Sequence, residues 1–190
     1  MSDFDPQSYG AAVAELLADA PAQVLGPGSP YEGARKRLDA LTRDSLIAPA
    51  RVADRAMADC CLAALWLRHN FLDESHTLSQ SISTHAGSYW HAIMHRREPD
   101  FDNSKYWYRR VGSPAIFPDL ALAARDLAVT ANVSAAQFLT SGSAWDPFQF
   151  VDLCQRASRG GDAQLTRLCL DIQAREWELL FDDCYRAACG

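Results

Sequence analysis

Residues 145–162 read Trp145-Asp146-Pro147-Phe148-Gln149-Phe150-Val151-Asp152-Leu153-Cys154-Gln155-Arg156-Ala157-Ser158-Arg159-Gly160-Gly161-Asp162. Asp146 is an N-cap residue, and Pro147 suits the first helical position, where a missing N–H costs nothing. Gly160-Gly161 stops the helix over Phe148 to Ser158, and Asp162 caps the next one. Beyond it, Leu165, Leu168, Cys169, Ile172, Leu179, Leu180, Cys184 and Tyr185 recur at three- and four-residue steps, the period of one long helix with a single apolar side. The spacing predicts a C-terminal two-helix hairpin, and with it an all-α fold of antiparallel helical hairpins.

The same period runs back towards the N-terminus. Val13, Leu16 and Leu17 predict a short helix within Tyr9 to Ala18, and the three prolines and two glycines of Pro21 to Pro30 predict a loop. Tyr31 to Leu41 reads as a polar amphipathic helix whose Arg35-Lys36-Arg37 patch faces solvent. Helical spacing continues over Pro49 to Asn70, Leu72 to Ile82, Ser88 to Glu98 and Phe101 to Val111, where Gly112 and Pro114 end it. Asp119 to Ala131 is an alanine-rich helix with Pro118 at its start. No run of alternating β-branched residues appears. The chain therefore reads as one all-α domain over 1–190, with N-terminal helices and a loop (1–48), a pair of helical hairpins (49–114) and C-terminal helices (115–190).

Composition narrows the function classes. A formal charge of −6 argues against nucleic acid as partner, since that binding relies on Lys and Arg neutralising phosphates. The basic residues are 16 Arg with only Lys36 and Lys105, a skew that makes any single Arg weak support for a site. No stretch of 18 apolar residues is present, which excludes a membrane span. Met1 to Pro6, with Asp3 and Asp5, lacks the basic and apolar regions of a signal peptide, so a cytoplasmic location is expected. In that compartment Cys60, Cys61, Cys154, Cys169, Cys184 and Cys189 stay reduced and act as small apolar fillers; none forms a C-x-x-C pair.

Two units in the middle align at an offset of 29 residues, with Ala63 matching Ala92, Leu72 matching Phe101, Ser75 matching Ser104 and Ile82 matching Val111. Turns fall at Asn70-Phe71 and Pro99-Asp100. Pro99-Asp100-Phe101, the aromatic Tyr108 and the closing Pro114 make residues 53–114 resemble tetratricopeptide helix-turn-helix repeats, though the period is short, the turn glycine is missing and His95 replaces an aromatic. The resemblance implies stacked hairpins with a binding face for a protein or peptide. The stretch from Gly87 to Gly112 also looks like a motif in a group of uncharacterised bacterial and fungal proteins, which implies no activity.

All five histidines lie between His69 and His95. His91 and His95 share a helix face, with Glu98 about a turn further on. His69, Asp73 and His76 follow similar spacing on the preceding elements. Convergence of these faces would give imidazole and carboxylate ligands for a divalent transition metal such as Zn, Fe, Mn or Ni. Part-buried histidines hydrogen-bonded within a hairpin are the structural alternative. A third reading makes His91, His95 and Glu98 metal-free acid–base groups. A second constellation, Arg96, Arg97, Lys105 and Arg109 with Trp90 and Trp107, would hold an anionic ligand or a peptide. Internal ion pairs and core packing are its alternative. Asp73-Glu74 reads as a first-turn acidic pair. No glycine-rich phosphate loop or nucleophile elbow is present.

These observations lead to a helical-repeat interaction module binding a protein or peptide on the surface of residues 69–110. The alternative is a metal-dependent or His-based enzyme acting on a small anionic substrate. Trp177, Leu180, Phe181 and Cys184 form an apolar face that serves either a homodimer or the core.

Overall fold

The C-terminal helix is the spine of the molecule, because its apolar stripe is long enough to serve two cores. The computed structural model describes residues 4–142 and 144–190; Met1 to Asp3, part of the acidic start, lie outside them. Among the described residues there are eleven α-helices and no strand. They are α1 (Ala11–Ala18), α2 (Arg35–Ala40), α3 (Arg43–Ile47), α4 (Arg55–Arg68), α5 (Leu72–Ser81), α6 (His85–Arg97), α7 (Phe101–Tyr108), α8 (Phe117–Ala131), α9 (Gln137–Ser141), α10 (Pro147–Ser158) and α11 (Ala163–Cys189). Among the described residues, no helix is long and apolar enough to cross a membrane.

The first half of α11 places Leu165, Leu168, Cys169 and Ile172 in a core shared with α8, α9 and α10. The second half places Trp177, Leu180, Phe181, Cys184 and Ala188 in a larger core shared with α1 to α4, α6 and α7. The face that sequence offered for a homodimer is therefore consumed within the chain, its aromatic rings packing on one another and on Trp90 and Phe4. Trp177 Nε1 also donates to the Ala64 carbonyl at 3.1 Å, fixing α11 against α4.

The expected capping chemistry is in place. Asp146 accepts from the amides of Phe148 and Gln149 with Pro147 at the first turn. Gly160 and Gly161 take φ of 84° and 98° between α10 and α11, a region that only glycine enters cheaply. Asp162 then accepts from the Leu165 amide at 2.8 Å. Helix α6 starts earlier than its apolar spacing suggested, because the Thr84 hydroxyl accepts from the Gly87 amide at 3.0 Å and starts the helix at His85. Helix α3 was not legible at all. It is five residues long, held by a reciprocal cap between Thr42 and Ser45 and by burial of Leu46 and Ile47. Helix α9, equally short, was also missed.

Two consecutive hairpins, α4–α5 and α6–α7, frame the middle of the chain. Asn70 makes the first turn with φ of 64°, and Asp100 caps α7 by accepting from the Asn103 amide at 3.1 Å. Ser75 and Ser104 are fully buried where the paired helices approach, and the Ser104 hydroxyl donates to the Ala92 carbonyl at 2.8 Å. All six cysteines are unbridged, five of them buried.

Gly87 sets how closely α6 follows the end of α5. A Cβ there would stand 2.4 Å from the Ile82 carbonyl oxygen and 2.6 Å from the Ile82 Cβ. Neither can move without shifting backbone, so Gly87→Ala should lower the unfolding free energy by about 1–3 kcal/mol, the usual cost of overpacking. Urea denaturation followed by circular dichroism measures this, and wild-type stability in the variant would refute the steric account.

Candidate metal centre

Helix α6 is buried on every side, from Gly87 to Arg97 without interruption. Its buried side includes His91, His95, Arg96 and Arg97, so four side chains with strong polar groups need partners inside the protein. The partners come from four other elements and define what the region can do.

His91 and His95 face each other one turn apart, with their Nε2 atoms 2.9 Å apart. The ring of His76, half-buried on α5, closes the group with ring centroids 4.6 Å from His91 and 5.3 Å from His95. One ligand nitrogen from each of the three lies within 4.8 Å of the others, so the group can hold a metal ion. The far nitrogens of the α6 pair are tied back. His91 Nδ1 lies 3.0 Å from the Ser79 hydroxyl, and His95 Nδ1 lies 2.9 Å from Glu98 Oε2. An imidazole anchored at Nδ1 by an oxygen and presenting Nε2 is the arrangement by which proteins orient metal ligands. With imidazole nitrogens about 2.0–2.1 Å from a metal, two Nε2 atoms 2.9 Å apart are close enough that His91 and His95 would reach one ion together.

The surroundings are mixed. Trp107 packs on His91 with ring centroids 4.1 Å apart. The Asn103 amide nitrogen stands 3.0 Å from Nε2 and 3.4 Å from Nδ1 of His95. Imidazole lone pairs lie in the ring plane and diverge, and an in-plane atom at those distances would strike the carbon between the nitrogens. The amide therefore covers the ring face and leaves the in-plane direction of Nε2 towards His91. Burial, reinforced by repulsion from His95 and His76, pushes the His91 ring down to about 3. Burial also lowers His95, opposed by its hydrogen bond to Glu98. Both rings are neutral at pH 7, the state a metal ligand requires.

The other sequence-predicted ligands stand elsewhere. His69, at the end of α4, has Nδ1 2.8 Å from the Leu65 carbonyl and Nε2 3.1 Å from the Leu16 carbonyl; it ties α1 to α4 and is not in the cluster. Asp73 is exposed, on the surface of α5, and also outside the group. Glu98, with 51% of its side chain exposed, touches the outward nitrogen of His95 and so orients that ring instead of ligating beside it.

The basic and aromatic constellation is largely spent inside the protein. Arg96 donates from Nη2 to Glu176 Oε2 and from Nη1 to the Tyr108 hydroxyl at 3.0 Å, and the hydroxyls of Tyr89 and Tyr108 each donate to Glu176 Oε1 at 3.0 Å. Burial and the neighbouring carboxylate hold the Tyr89 hydroxyl well above the usual phenol range, so it stays a donor. Arg97 donates to the carbonyls of Gly26 and Pro27 and to Asn70 Oδ1, which fastens the proline-rich loop. Trp90 is fully buried in the core. Lys105 pairs with Asp152. Arg109 and Arg110 are exposed, and Arg110 lies over the rings of Tyr106 and Trp107. Sequence reasoning missed Ser79 and Glu176. Ser79 sits three residues beyond His76 and was detectable in principle; Glu176 is 80 residues from Arg96 and carried no local signal.

No protein-family model, curated protein or solved structure matches the chain, and the site is read from its geometry.

Two outcomes follow from these contacts. Glu176→Ala leaves the Arg96 charge buried without its carboxylate and should cost about 3–5 kcal/mol, whereas Lys105→Ala, removing an ion pair with the well-exposed Asp152, should cost less than about 1 kcal/mol. Equal effects in chemical denaturation would contradict this reading. In the presence of chelator, the unfolded chain takes up a proton at His91 below its ordinary pKa of 6.5, while the folded ring resists until about 3. The stability from this group is therefore complete above 6.5 and lost as pH falls towards 3. Melting temperature should fall on acidification over that window, less steeply in His91→Gln.

Proposed function

We propose that the protein binds a divalent transition metal through His76, His91 and His95, and that this centre is the catalytic site of a metal-dependent enzyme. The observation that carries the reading is the pair of Nε2 atoms 2.9 Å apart, each on a ring anchored at Nδ1, with a third imidazole closing the group. Imidazole ligands suit Zn, Fe, Ni and Cu. Three protein ligands leave coordination positions for water or substrate, which is the layout of catalytic sites. A metal so held activates water or polarises a substrate oxygen. The half-buried His76 and the exposed carboxylate of Glu98 mark the side from which a substrate approaches. A small anionic substrate fits with Arg109 and Arg110, the two basic residues of this region left at the surface.

The interaction-module reading has a different surface in its favour. On α8, Leu122 and Val129 are 49% and 61% exposed, two turns apart on one face. Beside α8 a groove of about 590 Å³ runs against α11, lined by Leu127, Ala131 and Leu168 with Asp126, Arg167 and Asp171. A protein or peptide partner would dock here and not on the buried residues of α6.

The deciding measurement is elemental analysis of tag-free protein purified without chelator and then offered Zn, Fe, Ni and Cu. Near-stoichiometric metal is expected, lost in a folded His91→Ala/His95→Ala variant. Metal at 100 times its dissociation constant should stabilise the fold by about 2.7 kcal/mol, visible as a raised melting temperature. No uptake from any of the four metals would sink the centre and leave the α8 surface as the better reading.

A further inference from the structure

Resting on the metal-centre reading, we infer that Ser79 is a positioning residue that lets His91 exchange its tautomer when the metal enters. The argument is a proton ledger along four side chains. Glu98 can only accept from His95 Nδ1, at 2.9 Å, which fixes the neutral His95 ring with its proton on Nδ1 and a bare Nε2. That bare nitrogen faces His91 Nε2 at 2.9 Å. Two bare nitrogens at this distance repel, so in the metal-free protein His91 carries its proton on Nε2 and donates it to His95. His91 Nδ1 is then bare and buried, and needs a donor. The Ser79 hydroxyl, 3.0 Å away and itself buried, supplies it.

A metal bound to both Nε2 atoms reverses this end of the chain. The His91 proton moves to Nδ1, with no net proton gained or lost by the four groups, and Nδ1–H must now find an acceptor. Ser79 accepts it, because the hydroxyl proton has a second destination: the His76 carbonyl, 3.3 Å from Ser79 Oγ. A hydroxyl donates in one state and accepts in the other. A carboxylate accepts only, and an alanine does neither. The same serine lies one turn from the third ligand on α5, so it joins the two helices that carry the centre.

The test uses the full-length chain with Zn²⁺ as probe. Imidazole nitrogen NMR should report His91 protonated at Nε2 without metal and at Nδ1 with Zn²⁺. Ser79→Ala should still fold, since it removes no apolar contact and improves helix propensity, but with a lower metal-free melting temperature, because His91 Nδ1 loses its buried donor. Its Zn²⁺ affinity in a chelator competition should fall about 10–100-fold, the usual loss for a partner behind a metal ligand. Finding His91 already protonated at Nδ1 in the metal-free protein, or equal Zn²⁺ affinity in Ser79→Ala, overturns the role of Ser79 while the centre stands. Absence of Zn²⁺ binding by the wild type overturns the centre and this inference together.

Discussion

Helix α6 is the constraint from which the rest of the structure follows: it is enclosed on all sides, yet it carries two histidines and two arginines. A helix buried all round is ordinarily apolar. Here each polar group imposes a partner from a different part of the chain. Arg96 demands a carboxylate and receives Glu176 from the middle of α11. Arg97 demands acceptors and receives the carbonyls of the loop between α1 and α2. The histidines recruit Ser79 from α5 and Glu98 from the end of α6 itself. Removing any single partner leaves a buried charge or an unpaired polar atom, so these contacts specify the arrangement more sharply than apolar packing alone would.

The same constraint explains why α11 is long. It must reach past α8 and α10 to cover α6 and α4, and Glu176 lies near the boundary between the two apolar clusters. The buried ion pair, two tyrosine hydroxyls and the Trp177 contact to α4 fasten that crossing point. The loop over residues 19–30 has no regular structure of its own and is held by side chains: Arg68 to the Pro21 carbonyl, Asn70 to Ser29, Gln173 to Val24 and Arg97 to Gly26. Of the cations that sequence presented as a binding surface, Arg97 thus binds the protein's own backbone.

The helical class and most long helices were legible because their signals are local: an N-cap, a proline at the first turn, a glycine after the last, and a 3.6-residue period. The short α3 and α9 were not, since five residues are too few for a period and their stability comes from tertiary burial. Half of the candidate site was legible on the same terms. His91 and His95 share a face by helix geometry, and His76 lay on the neighbouring helix. His69 was misassigned because its distance from His76 along the chain says nothing about the turn at Asn70, which ends α4 and directs its ring to the Leu16 and Leu65 carbonyls. Arg96 was misread for the converse reason: its burial depends on α11, which the sequence brings back only after 80 residues.

The histidine pair also differs from what a core requires. At the offset of 29 residues, His91 and His95 align in sequence with Leu62 and Trp66 of the preceding hairpin, apolar side chains that ask for one hydrogen bond at most. Imidazoles in the same places bring four ring nitrogens that need partners, and the chain supplies oxygen to the two Nδ1 atoms while turning the two Nε2 atoms on each other. Simple filling of space would have been served better by leucine. A pair of inward nitrogens with anchored backs, beside a third imidazole, instead suits a cation: the rings are held in place before it arrives, so that binding has a proton to shift but no ring to order. The pair and its neighbouring imidazole are the feature of this core that apolar packing does not require, and the proposed centre is argued from them.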